Sequence, residues 1–534
     1  MRGLQRGQEG PYRSAKPLRD RNGGRRLNPV TDIPDWRCVK MMDVNHLLVQ
    51  SIVVPLLFSP IIFALGKALK RNVGWITLLP LLYSASCLLI PSYLIYIHGE
   101  SLLASYRWAP LLGSDFALLL DGISAPVALT IVILAAIICV YSISYMEERA
   151  LGAYFALYLL FVSGMLGTVL SANLAAFFIF FELMLIASWL LIAIWGGSER
   201  ERAALKYFVY TEAGALLLLA GIASTYAATG TLNILEIPSK AAGLPTSMIA
   251  LIVSLMFVGF LVKMAIFPFH TWLPDAYTQA PMPITAIFSA MTGIGGYAAI
   301  RVLYTGFPQL LKAWNFGITL TVLAVITMIY GGYMALAQGE LKRLLAYSSM
   351  SQMGYLLLGV ASQSIIGALG ALLIYTAHGF AKAILFMASG LFSKNLGSDK
   401  LDELGGLAGK MQLTSITFMV GFLSLMGFPP LLGFWGELFV FAGSVYTALS
   451  GSIDILRFLL TMVAILSAIL TAGYGLWTIK RILFGEPSER VKAAKAEPML
   501  MIIPMLISAI LIAVLGIHPS LLTKLLAALS LSSA

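Results

Sequence analysis

The chain has 534 residues, of which 59% are apolar and only 11% charged, against about a quarter charged in an average soluble chain. That balance excludes a water-soluble assembly of several domains, and the apolar residues come in runs of about 20, the length a helix needs to cross about 30 Å of hydrocarbon. The formal net charge of +10 does not indicate nucleic acid, because the basic residues lie in a tail and in loops rather than on one face.

Residues 1–46 hold ten Lys/Arg and five Asp/Glu. They are rich in Arg, Gly and Pro without apolar period, which reads as a disordered tail. Fourteen apolar spans follow, at about 47–65, 74–97, 123–144, 153–172, 174–195, 207–229, 247–267, 283–304, 315–337, 344–361, 366–391, 412–448, 458–483 and 499–517. Span twelve counts as one interrupted helix, because it contains the break Gly427-Phe428-Pro429-Pro430. The fold class is therefore an all-α polytopic membrane protein with both termini outside. Loops after odd-numbered spans carry seventeen Lys/Arg against six on the other side, which puts the odd loops in the cytoplasm. The basic tail contradicts that rule, so a start at Met41 or Met42 is the favoured reading, ahead of a tolerated exported tail. Three cysteines (Cys38, Cys87, Cys139) lie far apart, which supports neither a disulfide frame nor an iron–sulfur or zinc site. There is no Walker-type phosphate loop.

Two lysines, Lys263 and Lys382, belong to neither tail nor loops, and Glu182 and Glu437 are comparably placed inside apolar spans. An ionisable group at mid-bilayer costs several kcal/mol, so each is a functional candidate by default. A helix-locking ion pair would explain one such residue far better than five, with His378 one turn before Lys382. Pro268 follows Lys263, and Pro429-Pro430 precede Glu437. Proline removes a donor and breaks a helix, and broken backbone at membrane depth is tolerated where it lines a cavity or is packed by protein. Paired broken helices in corresponding halves indicate transporter repeats. Spans 4–8 (146–305) and 9–13 (306–484) are the expected repeats, the second inverted. They are flanked by three N-terminal helices at 47–145 and by helix 14 with the C-terminus at 485–534.

The segments KMAIFPFHTWLPDAYTQAP (263–281), ELKRLLAYSSMSQMGY (340–355), HGFAKAILFMASG (378–390) and MGFPPLLGFWGE (426–437) resemble the antiporter-like membrane subunits of respiratory complex I. They are equally similar to the D subunit of Mrp-type Na+/H+ antiporters and to subunits of archaeal membrane-bound hydrogenases and sulfur reductases. The resemblance runs from about residue 110 to 490. It implies fourteen helices with two inverted five-helix repeats and broken helices 7 and 12. It also implies an ion-translocation role for Glu182, Lys263, His378, Lys382 and Glu437. Many relatives have a lysine in helix eight where this chain reads Met291-Thr292-Gly293; two readings stay open, replacement by Thr292, Ser289 and a water chain, or an interruption of proton flow along the axis.

Burial disfavours the charged form of a lysine and a nearby carboxylate favours it, so a Glu182–Lys263 pair of variable separation is a proton switch, with His378 and Lys382 as next carriers and Glu437 as terminal site. Lys206 and Glu212 are secondary candidates, open between a loop-edge salt bridge and a cytoplasmic proton entry. Asp121, and Asp275 with His270, read as caps; Glu340, Lys342 and Arg343 read as a collar. Trp75, Trp108 and Trp314 read as interfacial belts.

The leading functional expectation is an H+ and/or Na+ translocating subunit of a redox-driven membrane complex. No cofactor is expected on this chain, with iron–sulfur clusters or other redox centres in partner subunits. Lipid and other membrane subunits are the expected surroundings, in the cell (inner) membrane, without nucleic acid. An Mrp-type antiporter component without redox partners is the alternative, and a structural subunit with relic charges is a third reading.

Overall fold

A computed structural model describes residues 41–109, 114–147, 149–451 and 453–531. The chain divides into two compact units, Met1–Val44 and Asn45–Ala534, and the membrane architecture belongs to the second. Of the disordered tail expected at 1–46, residues 1–40 lie outside the described residues, whereas 41–46 are helical and open α1 (Met41–Leu69), a correction to that expectation.

The architecture is helical and multi-pass. Helix α1 (Met41–Leu69) and α2 (Val73–His98) are divided by a turn at Lys70–Asn72, where three polar residues interrupt an apolar run. Next come α3 (Ser124–Tyr145), α4 (Leu151–Leu170), α5 (Leu174–Trp195) and α6 (Arg200–Thr229). Span seven is two helices, α7 (Thr246–Lys263) and α8 (Trp272–Gln279), followed by α9 (Met282–Ile300), α10 (Trp314–Leu336), α11 (Leu341–Ala361) and α12 (Ile365–Leu396). Span twelve is likewise two helices, α13 (Gln412–Leu425) and α14 (Leu432–Leu449); α15 (Ile455–Leu483), α16 (Met499–Ile517) and α17 (Ser520–Leu531) complete the chain.

Twelve described segments, rather than fourteen, are long and apolar enough to cross a membrane. Two causes account for the difference. Residues 44–98 form one 55-residue apolar segment, and α11 is too rich in Ser and Lys/Arg to qualify by hydropathy. One element departs from the all-α expectation: strands β1 (Leu102–Ala109) and β2 (Ser114–Leu120) pair antiparallel, Leu102 opposite Leu120. The hairpin leads directly into Asp121.

Asp121 caps α3 as expected, its Oδ1 accepting from the amides of Ile123 and Ser124 at 3.0 Å each. It also does more. Both its oxygens accept from Arg301 at the end of α9, at 2.6 and 2.7 Å. Burial alone would raise this carboxyl; the guanidinium, with the Ser124 donors, outweighs that and holds it below its ordinary value. The Arg301 side chain is itself anchored to Tyr297, whose hydroxyl donates to the Val169 carbonyl on α4 at 2.5 Å.

The centre of the molecule is α9 and α12. All nineteen residues of α9 are buried. The 32-residue α12 is about 48 Å long at 1.5 Å per residue, more than one hydrocarbon thickness. Small residues allow close approach there: the backbone of Gly367 lies where a side chain on Gly443 of α14 would stand, the small-residue contact typical of membrane helices.

Candidate functional site

Both breaks expected from the prolines are present, and both are stabilised by polar side chains from elsewhere. At the first, Ala265 takes φ 54° and α7 ends on Lys263. The indole of Trp272 donates to the Val262 carbonyl at 3.0 Å, which the Ala265 amide also reaches at 3.0 Å, and the Phe267 amide donates to Thr327 at 3.1 Å. At the second, Gly427 takes φ 65°, the left-handed region that glycine adopts without strain. There the Gln352 amide donates to the Leu425 carbonyl at 3.2 Å. Unsatisfied backbone in an apolar interior costs several kcal/mol, so these donors make the breaks sustainable.

Ending α7 at the first break leaves Lys263 in the interior, 1% exposed. Its Nζ donates to the Tyr207 hydroxyl at 3.3 Å and lies 5.3 Å from the centre of the Phe181 ring. Tyr207 in turn shares a hydrogen bond with Ser188 at 2.8 Å. Glu182 is on α5 in the same neighbourhood, with Glu212 of α6 and Lys263 both within its electrostatic reach. Among the described residues no salt bridge joins Glu182 to Lys263; the lysine meets a phenol first.

Lys206 does not pair with Glu212. It forms a 2.8 Å salt bridge with Asp275 on α8, and Arg343 approaches the same carboxylate at 4.0 Å. Asp275 is therefore a junction between α6, α8 and α11, a role beyond the capping read from sequence. Six residues place Lys206 and Glu212 nearly two helical turns apart at 3.6 residues per turn, so each meets a different layer.

His378 and Lys382 are both fully interior on α12, 1% and 0% exposed. The His378 Nδ1 donates to the Ser289 carbonyl on α9 at 3.2 Å, and Ser289 Oγ donates back to Gly379 at 3.0 Å. Lys382 donates to the Leu345 carbonyl at 2.9 Å and to Ser348 Oγ, both on α11. Glu437 on α14 is half-buried, and its carboxylate occupies the space beside Gly427 that a side chain there would fill. Tyr355 and Tyr474 lie within its electrostatic reach.

The structure thus brings Glu182, Glu212 and Lys263 together, His378 and Lys382 together, and Glu437 to the second break. Sequence reasoning missed the hydroxyls and amides that connect them: Tyr207, Tyr277, Ser348, Gln352, Tyr355. Of Thr292 and Ser289, the first bonds Tyr277 at 3.0 Å and the second bonds α12; Gly293 has the Tyr375 ring in the place its own side chain would need.

Residues 171–466 match the family model described as NADH:quinone oxidoreductase/Mrp antiporter, TM, and residues 108–155 match NADH-Ubiquinone oxidoreductase (complex I), chain 5 N-terminus. The chain belongs to this family. It is 31% identical over 500 residues to F(420)H(2) dehydrogenase subunit M of Methanosarcina mazei, covering 90% of this chain and 96% of that one. It is 33% identical to NADH-quinone oxidoreductase subunit M of Rickettsia felis, covering 71% and 75%. Among solved structures it matches a chain of the Mrp complex from Dietzia sp. DQ12-45-1b, with TM-score 0.80, 27% identity and 91% of this chain covered. It spans only 52% of that Mrp chain's length. It also matches a chain of the membrane-bound sulfane sulfur reductase, an archaeal respiratory membrane complex (TM-score 0.79, 26% identity, 91% and 97% covered). A chain of respiratory complex I from Thermus thermophilus scores 0.77 at 26% identity, with 91% and 99% covered. All three are membrane chains of multi-subunit assemblies, and the chain is an antiporter-like, complex I-like membrane subunit.

Proposed function

We propose that the chain translocates protons across a cell (inner) membrane as one subunit of a redox-driven complex, through Glu182, Lys263, His378, Lys382 and Glu437. The observation that carries this reading is the set of interior titratable groups: two lysines and a histidine, each at most 1% exposed, on α7 and α12 of a multi-pass fold. Such groups are costly in a membrane interior and are kept where ions pass.

In this reading residues 146–305 and 306–484 are inverted repeats within fourteen spans, with the odd loops cytoplasmic and both termini outside. Lys206 and Asp275, each about one-third exposed, mark the cytoplasmic mouth. Glu212 and Glu182 form a carboxyl pair that can share and release a proton, Lys263 receives it, and the α12 pair passes it toward Glu437. Coupling arises when partner subunits alter the Glu182–Lys263 separation, since a nearby carboxylate favours the lysine's charged form. Redox centres, including iron–sulfur clusters, belong to those partners, along with lipid contacts on the apolar outer faces. The near-full-length likeness to a dehydrogenase subunit favours the redox-driven assembly over an Mrp-type Na+/H+ antiporter.

The test is ion uptake by the reconstituted complex during electron transfer. Lys263→Ala and Glu182→Gln abolish uptake while the subunit remains folded and assembled. Normal uptake by Lys263→Ala overturns the scheme.

A further inference from the structure

Lys263 meets α9 through Tyr207, whose hydroxyl reaches Met291, while His378 bonds the Ser289 carbonyl of α9 directly. Successive helical residues are turned by about 100°, and three consecutive residues of α9 meet three tyrosines from three other elements. Met291 receives the Tyr207 hydroxyl at 3.5 Å on its sulfur. Thr292 shares a hydrogen bond with the Tyr277 hydroxyl at 3.0 Å. Gly293, lacking a side chain, has its place taken by the Tyr375 ring. Tyr207 and Tyr277 both rest on Phe288, with ring centres 6.2 and 5.6 Å away. Tyr375 stands one helical turn before His378 on α12.

All three tyrosines are buried to within 1%. The Tyr375 hydroxyl and His378 Nε2 are both buried without a hydrogen-bond partner among the described residues, whereas nearly all buried polar groups find one. Two unpartnered groups one turn apart are the arrangement that an internal water bridges.

Resting on the reading of this axis as a proton path, we propose that Tyr207, Tyr277 with Thr292, and Tyr375 form a hydroxyl arc carrying protons around α9 from Lys263 to His378, with Tyr375 the carrier that delivers to the histidine through bound water. Each phenol both donates and accepts. A proton arrives on the oxygen from one side as the original O–H bond breaks on the other, so the hydroxyl is unchanged after each transfer and one proton leaves Lys263 for each that reaches His378. The arc crosses the level of helix eight without a charged side chain there, and Gly293 serves it by leaving room for the Tyr375 ring.

The test uses the intact complex in vesicles, with proton uptake read by a pH-sensitive dye alongside electron transfer. Tyr375→Phe removes one buried oxygen that makes no hydrogen bond among the described residues, so the arc requires uptake to fall about tenfold or more; uptake within about twofold of the parent overturns it. Tyr277→Phe interrupts the same arc from α8 and gives the same loss, providing the decision if the first variant does not assemble. Loss in Lys263→Ala with normal uptake in both phenylalanine variants overturns the arc alone. Normal uptake in all three overturns the proposed function as well.

Discussion

Each half of the membrane region holds a broken helix, an interior lysine and a buried arginine, and the two sets are neutralised differently. In the first half carboxylates face the cations: Lys263, hydrogen-bonded to the Tyr207 phenol, has Glu182 within electrostatic reach, and Arg301 is gripped by both oxygens of Asp121. In the second half they meet dipoles. Lys382 donates to Leu345 O and Ser348. Arg457 donates to the carbonyls of Ala361 and Ser362 at 3.0 and 3.2 Å and to Gln363 at 2.9 Å, with Asp454 farther off at 3.5 Å. A carboxylate on a neighbouring helix can move or change its charge, whereas helix-terminal carbonyls are fixed by their own backbone. In the proposed scheme the first half is therefore the switch and the second a fixed relay.

The contrast is tested most severely at the arginines. Removing one partner of a buried ion pair costs about 3–5 kcal/mol, so Asp121→Asn, which strands Arg301, lowers the thermal unfolding midpoint in detergent substantially. Asp454→Asn leaves Arg457 its three oxygen acceptors and costs under about 1 kcal/mol, in the range of a weak pair. Equal losses would break the comparison. The Asp121 contribution has a defined pH sign: burial raises its carboxyl, Arg301 and the hydrogen bonds lower it further, and the net is downward. It is thus fully present above the ordinary aspartate value of about 4, and is lost only as pH falls through the lower folded value.

Transport provides the second test. Lys382→Ala reduces proton uptake at least about 100-fold, equivalent to about 2.7 kcal/mol, and Glu437→Gln does the same because it removes the carboxylate that stands beside Gly427 at the second break. Glu212→Gln reduces uptake only about tenfold, or about 1.4 kcal/mol, because Glu182 retains a carboxyl beside Lys263. Initial uptake rates in vesicles separate these, and a larger loss at Glu212 than at Glu437 would reverse the assignment of switch and relay.

Legibility in the sequence divides along the same line. Full charges in apolar runs stand out, which is why Lys263, Lys382, Glu182 and Glu437 could be named, and the prolines identified both breaks. Hydroxyls do not stand out, since Ser and Thr satisfy themselves on the preceding turn in most membrane helices, and tyrosines are common at interfaces. Tyr207, Tyr277 and Ser348 were therefore invisible until three-dimensional neighbours were known. The Lys206–Asp275 bridge joins residues 69 apart and has no local signature. The strand pair at 102–120 was passed over because it is short and lies between helices whose apolar signal is much stronger.

The smallest effects concern how the breaks themselves are held. At the first break a large, fully buried indole donates to Val262 O; at the second a flexible amide donates to Leu425 O. Trp272→Phe loses that bond together with packed ring volume, and costs about 1–3 kcal/mol. Gln352→Met keeps most of the side-chain volume and loses only the bond, for which polar contacts between membrane helices average about 0.6 kcal/mol. Denaturant unfolding in mixed micelles resolves a difference of that size. If Gln352→Met costs as much as Trp272→Phe, the second break depends on its single polar donor as heavily as the first does on its ring, and the two halves differ in how their charges are neutralised but not in how their backbones are interrupted.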